Sequence, residues 1–335
     1  MQLDTLGDTN LTVSCLGLGM AALGRPGYIN LGHAEDLEGD HDPAAMEARA
    51  HAVLDAAWAA GVRYFDTARS YGRGEEFLGS WLGARDIGGD AVTVGSKWGY
   101  TYTAGWQVVA DHHEIKEHSL AVLVRQWGES RASLGANLGL YQIHSATLDS
   151  GVLDNVAVLE ELARLRDQGV AIGLTSSGPG QADVLRRALD VEVDGRTLFS
   201  VVQATWNLLE RSAEPALVDA AARGIGVIVK EAVANGRLTE RNEEPGFAPV
   251  LALLREEARA GGTTVDGLAI AAALSRPWTD VVLSGAASVA QLESNLTATA
   301  DEALASGAAA AERTLAHLAQ PPEAYWRMRS ALAWN

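Results

Sequence analysis

The stretch RYFDTARSYGRGEEFLGSWL, residues 63–82, joins a short apolar run to a helical pattern through a glycine-bearing loop. This order is typical of one strand–helix unit of an α/β protein. The apolar run ends in Asp66, and Tyr71 follows five positions later inside the loop. A carboxylate and a phenol therefore stand just past the end of a predicted strand.

The same alternation repeats about eight times along the chain, after a predicted hairpin at 3–14. The predicted strands are CLGLG (15–19), VRYFD (62–66), AVTVGSK (91–97), LGLYQIH (138–144), VAIGLTS (170–176), FSVVQAT (199–205), GVIVKE (226–231) and DVVLSG (280–285). A doubly wound sheet alternates in the same way, but it usually has fewer strands and often carries a Gly-rich turn after the first. The glycines of GLGMAALGRPG (17–27) lack that placement. We expect a (β/α)8 TIM barrel with an N-terminal β-hairpin, as one domain over residues 1–335.

Composition indicates a globular protein and disfavours some classes of partner. Hydrophobic residues make up 47% and charged residues 21% of the chain. The net charge of −17 disfavours nucleic-acid and anionic membrane partners. The lone Cys15 excludes an internal disulfide and a thiolate zinc site. Because the start lacks a basic signal-peptide region and no apolar run reaches roughly 18 residues, we expect a cytoplasmic protein, its oligomeric state left open.

Three long segments are expected to shape a pocket at the carboxyl ends of the strands. Two are the loops at 25–43 and 99–118, and the third is the C-terminal tail at 321–335. Trp98 and Trp106 flank the second loop, and we expect them to line the substrate pocket. In the tail, Tyr325, Trp326 and Trp334 can line the pocket or seal the side of the barrel, and we favour sealing.

Polar residues end three predicted strands. Asp66, Lys97 and His144 close the second, third and fourth strands, with Tyr71 just beyond Asp66. Because strand ends converge at one mouth of a barrel, we expect these four side chains to lie together. An ammonium beside Tyr71 would stabilise the phenolate and lower its pKa, and a carboxylate would keep that ammonium charged. With a histidine donor, the set can protonate a carbonyl oxygen as its carbon receives a hydride, or run the step in reverse.

Each of the four residues also has an explanation without catalysis. Asp66 can cap a helix, and Lys97 can extend from a strand end into water. His144 can be a core histidine, and Tyr71 can pack on the rim. Their joint position at strand ends favours an active site. A Schiff-base enzyme using Lys97 is a further alternative, although a neighbouring Asp66 would raise the lysine pKa that this chemistry needs to be low.

The sequence resembles the aldo-keto reductases over nearly its whole length, from residue 3 to about 300. The matching stretches, in family order, are GVRYFDTARSYGRGEEFLG (61–79), VTVGSKWG (92–99), LGLYQIHS (138–145), AIGLTSS (171–177), VVQATWN (201–207), GVIVKEAVANGRL (226–238) and VLSGAASVAQLESNL (282–296). The resemblance implies a (β/α)8 barrel, an extended nicotinamide dinucleotide, and the tetrad Asp66, Tyr71, Lys97 and His144 with Tyr71 as general acid/base.

The resemblance also implies a set of cofactor-binding residues. These are Thr175, Ser176, Gln203, Lys230, Glu231, Gly236, Leu238, Gly285, Ser288, Gln291 and Asn295. Thr175, Ser176 and Gln203 would hold the carboxamide, although Thr175 and Ser176 can equally be turn residues before GPG (178–180). Backbone N–H groups of 231–236 would approach the pyrophosphate, and Asn295 the adenine.

Three positions depart from the family pattern. Ser176 replaces an asparagine, which keeps a donor but shortens its reach. Lys230 stands where an aromatic often stacks on the nicotinamide; an ammonium pointing inward would disfavour the oxidised, cationic ring and so favour reduction. It can also turn toward the pyrophosphate. Ala287 stands where members that prefer a 2′-phosphate usually carry an arginine or lysine. We expect NADP as the cofactor, with NAD as the alternative.

No metal is expected, because His33, His41 and the histidines of DHH (111–113) lack a ligand set with metal-site spacing. The sequence thus predicts an NAD(P)-dependent oxidoreductase of an aldehyde, ketone or aldose. The alternative from another class is a dinucleotide-binding regulatory or auxiliary subunit with little turnover.

Overall fold

Eight parallel strands close into a barrel, each pairing with a neighbour on either side. The structure is a computed structural model that describes residues 1–335, apart from the side chain of Thr314. The strands are β1 (Leu3–Thr5), β2 (Thr12–Ser14), β3 (Leu16–Gly19), β4 (Tyr64–Asp66), β5 (Thr93–Trp98), β6 (Tyr100–Tyr102), β7 (Glu114–Lys116), β8 (Leu138–Ala146), β9 (Ala171–Ser176), β10 (Glu192–Val193), β11 (Arg196–Thr197), β12 (Val201–Thr205), β13 (Gly226–Lys230) and β14 (Val281–Ser284). The closed order is β3-β4-β5-β8-β9-β12-β13-β14, which returns to β3.

The eight predicted barrel strands are confirmed, and so is the (β/α)8 class. They carry Val, Ile and Leu in near-continuous buried runs, as strands covered on both faces must. The register aligns Asp66 with Gly19, so β3 and β4 end at one level, and with Gly95 of β5, which runs on to Trp98 at the same end of the barrel. The polar residues predicted at strand ends therefore share one mouth.

Helices surround the barrel. They are α1 (His33–Asp36), α2 (Pro43–Ala59), α3 (Gly74–Ala84), α4 (Leu120–Leu134), α5 (Val156–Asp167), α6 (Gln181–Leu189), α7 (Glu214–Ala222), α8 (Ala248–Ala260), α9 (Val265–Leu274), α10 (Val289–Leu296), α11 (Asp301–Ala309) and α12 (Pro322–Ser330). Several begin where the sequence offers a cap. Asp42 caps α2, because its side chain accepts hydrogen bonds from the backbone N–H groups of Ala44 and Ala45. Thr264 and Ser288 cap α9 and α10 in the same way.

The predicted N-terminal hairpin is confirmed as β1 and β2, paired from Leu3 with Ser14 to Thr5 with Thr12. Its residues Leu6 and Val13 are buried with apolar side chains from inside the barrel, including Tyr64. The hairpin therefore closes the amino-terminal end of the barrel. The other end is left to the loops that follow the strands.

Two loops at that other end are long, as predicted. Residues 25–37, here called the strap, follow β3 and include α1. The loop after β5 contains the antiparallel pair β6 and β7. The chain ends beside the strap, where the backbones of Tyr28 and Asn335 exchange two hydrogen bonds of 3.1 Å.

Candidate active site

A cavity of about 400 Å³ opens at the carboxyl ends of the strands. Asp66, Tyr71 and His144 lie in its wall, and Lys97 lies beneath them with 1% of its surface exposed. The structure thus brings all four residues of the predicted tetrad together. Asp66 comes from β4, Lys97 from β5, His144 from β8 and Tyr71 from the loop after β4.

Lys97 links the carboxylate to the phenol. Its Nζ forms a buried ion pair with Asp66, donates to the Thr67 carbonyl at 2.9 Å, and lies 3.5 Å from the Tyr71 hydroxyl. Asp66 Oδ2 also accepts from the amide of Gln203 at 3.0 Å. Tyr64 and Gln142 donate to the same oxygen. The carboxylate is therefore fixed from several sides and holds the ammonium toward Tyr71.

The pKa of Tyr71 differs from the expectation. Burial, and after it the negative charge of Asp66, raise the Tyr71 pKa above its ordinary value of 10. The sequence-based expectation of a lowered pKa is wrong for the chain alone. It omitted the cost of placing a phenolate in a buried site, and the carboxylate that holds Lys97 also repels a phenolate.

His144 is held neutral. Burial, with the charges of Lys97 and Lys230 after it, lowers the pKa of His144 well below 6.5. Its ring meets the ring of Tyr71 edge to face, with centroids 5.5 Å apart. Ser70 Oγ lies 3.4 Å from Nδ1. When that hydroxyl donates to Nδ1, the single ring proton is on Nε2, where it can be donated to a ligand.

Five of the predicted cofactor residues line the cavity: Thr175, Gln203, Lys230, Glu231 and Gly285. Thr175, Gln203, Lys230 and Glu231 already have intramolecular partners. Thr175 Oγ1 accepts from the Ser145 backbone N–H at 2.7 Å, and the Gln203 amide donates to Asp66. Ser145 has a left-handed backbone with φ of 50° beside a bulge in β8, so this hydroxyl supports the strand that carries His144.

The other six predicted cofactor residues lie outside the cavity wall: Ser176, Gly236, Leu238, Ser288, Gln291 and Asn295. Ser176 is buried and its hydroxyl has no hydrogen-bond partner, while its neighbour Ser177 faces the cavity. The end of β9, the fifth barrel strand, thus directs Thr175 and the following Ser177 into the cavity, and not the predicted pair Thr175 and Ser176. Leu238 is a core side chain with no exposed surface.

Residues near α10 make contacts within the protein. Ser288 Oγ caps the helix, and Gln291 Oε1 accepts from the Ala287 N–H at 2.8 Å. Asn295 accepts from Ser284 at 2.7 Å and donates to Asp266 at 2.6 Å. In the loop after β13, the N–H groups of 234 and 236 donate to backbone carbonyls. The cofactor roles of these residues stay predictions.

Lys230 points inward. Its Nζ donates to Thr205 Oγ1 at 2.8 Å and to Ser177 Oγ at 3.3 Å, and lies 3.8 Å from Glu231. Burial lowers the Lys230 pKa to about 8, against the opposing charge of Glu231. Because Glu231 is also bonded to Arg329, Lys230 shares this counter-ion.

The prediction that Trp98 and Trp106 line the substrate pocket is wrong. Trp98 is fully buried in the core and contacts His118, because side chains alternate along β5 and Lys97 takes the inward direction. Trp106 packs against Phe77 and donates to the His41 carbonyl at 2.7 Å. Neither belongs to the cavity wall.

The tail divides between the two roles considered for it. Tyr325 and Trp326 are buried and seal the side of the barrel, whereas Trp334 lines the cavity. Sequence reasoning missed Arg25, Tyr28, Tyr100 and Glu114, which also form the wall. Their signal was membership of the two long loops, but a loop's length does not tell which of its side chains turns inward.

The strap crosses the cavity and is bonded on the far side. Leu31 N–H donates to the Asn235 carbonyl at 3.0 Å, and the Asn235 amide donates to Asn30 at 3.1 Å. A side chain at Gly236 would meet Leu31 at about 3.0 Å, and its φ of 92° also favours glycine. The cavity therefore continues under a bridge from Tyr71 toward the end of β14.

These features fit an extended dinucleotide. At the far end the wall includes Gly19 and Gly285. A Cβ at Gly19 would lie 3.5 Å from the Ser284 carbonyl oxygen and a Cβ at Gly285 would lie 3.9 Å from the Asn30 amide, so the two glycines leave this space open. Lys230 supplies a cation whose counter-ion is shared. Among the described residues, no three His, Cys, Asp or Glu side chains group closely enough to hold a metal ion. Within the same part of the chain, none of the helices is long and apolar enough to cross a bilayer.

The chain is similar to known proteins of one family. The aldo/keto reductase family model matches residues 16–308. The chain is 28% identical to D-threo-aldose 1-dehydrogenase of a Pseudomonas species (71% of this chain, 73% of that protein) and 26% identical to L-galactose dehydrogenase of Arabidopsis thaliana (89% and 88%). It is 29% identical to pyridoxal 4-dehydrogenase of Microbacterium luteolum over 42% of each chain.

A solved structure shows the same fold. The holo form of an aldo-keto reductase from Bacillus halodurans superposes with a TM-score of 0.71 at 23% identity, covering 96% of this chain and 97% of that one. The match of the family model covers most of the barrel and includes every residue of the tetrad. The chain belongs to the aldo/keto reductase family of oxidoreductases.

Proposed function

We propose that this chain transfers a hydride between a nicotinamide dinucleotide and a carbonyl or alcohol substrate, with Tyr71 as general acid/base. The observation that carries the proposal is the placement of the Tyr71 hydroxyl 3.5 Å from Lys97 Nζ, in a cavity wall that His144 shares. A purely dinucleotide-binding subunit would not need a buried ion pair directed at a phenol.

The cofactor would lie along the cavity from Tyr71 to the end of β14. Thr175, Gln203 and Lys230 would hold its nicotinamide end, and Gly285, Ser288 and Asn295 the adenosine end. When bound, it supplies or accepts the hydride. We propose NADP, which this family uses more often, with NAD as the alternative because Ala287 offers no charge to a 2′-phosphate.

The residues of the tetrad divide the proton transfer among them. In reduction, Tyr71 gives its proton to the carbonyl oxygen, and Lys97 stabilises the phenolate that remains. Asp66 keeps Lys97 charged and directed. Neutral His144 donates from Nε2 to the same oxygen and so orients it. Lys97 is unsuited to Schiff-base chemistry, since its ammonium is buried in an ion pair with Asp66.

The substrate class that we propose is an aldehyde, ketone or aldose, with aldoses foremost. Two similar proteins are named for aldose and galactose oxidation. The cavity wall here supplies donors and acceptors beside a tryptophan, through Arg25, Glu114, Ser145, Ser177 and Trp334. Such a mixture suits a ligand with several hydroxyl groups.

The test compares Tyr71→Phe with Tyr64→Phe. Both phenols are near Asp66, but only Tyr71 lines the cavity. We expect Tyr71→Phe to abolish turnover of a panel of aldoses and aldehydes while NADPH and NADH still bind, as measured by fluorescence titration. Tyr64→Phe should retain turnover. Equal turnover in wild type and Tyr71→Phe would refute the role of Tyr71.

A further inference from the structure

Arg25 is a buried cation beside the proposed proton donor. Its side chain is 4% exposed, although it belongs to the strap and lines the cavity. Its guanidinium carbon lies 5.3 Å from the centre of the Tyr71 ring and 4.8 Å from the rings of both Tyr28 and Trp334. Three aromatic rings thus surround the charge and limit its contact with water.

Hydrogen bonds fix Arg25 relative to Tyr71. Nη1 donates to the carbonyl of Ser70, the residue before Tyr71, at 3.2 Å. The same nitrogen pairs with Glu114 of β7 at 3.2 Å. The guanidinium is therefore bonded to the loop that carries the phenol, and its distance from the ring is set by that bond.

The charge of Lys97 is already matched by Asp66, with which it forms an ion pair. At Tyr71, the negative charge of Asp66 therefore offsets part of the attraction that Lys97 offers a phenolate. A guanidinium facing the ring interacts weakly with a neutral phenol but strongly with a phenolate, whose negative charge spreads over the ring. Burial strengthens that attraction because little water screens it.

We propose that Arg25 is a second cation that stabilises the phenolate form of Tyr71, and so a positioning residue for proton transfer. The inference rests on the proposed role of Tyr71. Arg25 lies outside the tetrad, in a loop that the sequence predicts to be long without indicating which side chains turn inward. Glu114 pairs with Arg25 and therefore weakens the attraction of the guanidinium for the phenolate.

Both carboxylates and cations surround Tyr71 besides Arg25. The titratable and charged groups are Tyr28 of the strap, Tyr64 and Asp66 of β4, Lys97 of β5, Glu114 of β7, neutral His144 of β8, Lys230 of β13, Glu231 after it and Arg329 of α12. After burial, the charge of Asp66 raises the Tyr71 pKa, that of Arg25 lowers it, and those of Glu114 and Glu231 raise it. Removal of the Arg25 charge and removal of the Glu114 charge must therefore shift the Tyr71 pKa in opposite directions.

The test places a fluorinated tyrosine at position 71, which ionises at lower pH than tyrosine itself, and follows its ionisation by fluorine NMR, a signal that the other tyrosines do not give. The variants are Arg25→Met, Arg25→Lys and Glu114→Gln. Arg25→Met should raise the phenol pKa by about one unit, a tenfold change in proton affinity. Arg25→Lys should stay close to the parent, and Glu114→Gln should lower the pKa.

An unchanged pKa in Arg25→Met, or a shift in the same direction in Glu114→Gln, would overturn the proposal. Glu114 is 27% exposed, so its variant keeps the test decisive should Arg25→Met fail to fold. The titration needs neither substrate nor cofactor. A chain without dehydrogenase activity would still report the shift, so failure of this inference and failure of the proposed function are distinguishable.

Discussion

Arg329 of α12 holds Glu231, the residue after β13, through Nε at 3.0 Å and Nη2 at 2.6 Å. Glu231 has a φ of 57°, in the left-handed region that non-glycine residues rarely adopt. Thr205 Oγ1 also donates to its carboxylate at 3.2 Å. The C-terminal helix is thus tied to the point where the seventh barrel strand enters the proposed cofactor groove.

This ion pair should contribute a pH-dependent part of the stability. Burial would raise the Glu231 pKa, but the charges of Arg329 and Lys230 outweigh it and lower the pKa from 4.5 to about 2. A lowered carboxyl pKa stabilises the fold above pH 4.5, and the stabilisation is lost as the pH falls through about 2. Glu231→Gln should therefore reduce the free energy of unfolding by about 2–3 kcal/mol at neutral pH.

Urea denaturation at neutral pH and in acid checks this expectation. The difference in free energy of unfolding between wild type and Glu231→Gln should narrow steadily below pH 4.5. Glu240→Gln serves as the control, because Glu240 pairs with Arg255 at an exposed site and should change little. A gap that is constant over the acid range would show that the carboxylate charge is not what stabilises the fold.

Lys230 should make cofactor binding depend on redox state and pH. Its ammonium, with a pKa of about 8, repels an oxidised nicotinamide but not a reduced one. The pyrophosphate is common to both forms, so its attraction cancels in the ratio of the two dissociation constants. In wild type, oxidised cofactor should bind more tightly, relative to reduced, as the pH rises through about 8.

Isothermal titration of both cofactor forms with wild type and Lys230→Met measures that ratio. The variant should bind the oxidised form about tenfold more tightly, relative to the reduced form, below the lysine pKa. Its ratio should also be flat with pH. An unaltered ratio would mean that Lys230 does not face the nicotinamide.

The fold and the tetrad were predictable from sequence for a common physical reason. Each barrel strand is a short and nearly continuous apolar run because both of its faces are buried, and a polar residue at its end cannot remain in the core without a partner. Asp66, Lys97 and His144 each break such a run at its end. Convergence of strand ends then places them together without any knowledge of the loops.

The rest of the wall was not predictable in this way. Trp98 adjoins Lys97 in sequence, yet alternation along β5 sends it into the core. Arg25 and Trp334 reach the cavity from segments that sequence pattern alone cannot orient. Their positions depend on contacts between residues more than 300 apart, such as those between Tyr28 and Asn335.

The strap should slow cofactor release. Arg241 forms an ion pair with Asp36 and donates to the Gly32 carbonyl at 3.0 Å, which fastens the strap across the groove. Arg241→Ala should raise the dissociation rate of NADPH by about five- to tenfold, because a partly buried pair contributes about 1 kcal/mol and the carbonyl contact adds to it.

Stopped-flow fluorescence with excess competitor gives that rate. Arg255→Ala is the matched control, since Arg255 bonds to Glu240 and not to the strap. Equal dissociation rates in Arg241→Ala and the control would show that the strap does not gate the groove.

Trp334 should govern substrate affinity and not the chemical step. Its ring stacks on His113 at 3.8 Å and lies over Arg25, so it covers the cavity without contacting the tetrad residues Asp66 and Lys97. Trp334→Ala should raise the substrate KM about tenfold, the loss expected for one aromatic surface, with kcat within about twofold because Tyr28 and Tyr71 still cover Arg25. Trp326→Ala, which removes a buried side chain that seals the barrel, should instead lower the melting temperature. Steady-state kinetics and thermal unfolding of both variants separate these outcomes, and a loss of kcat without a change in KM for Trp334→Ala would contradict the assignment.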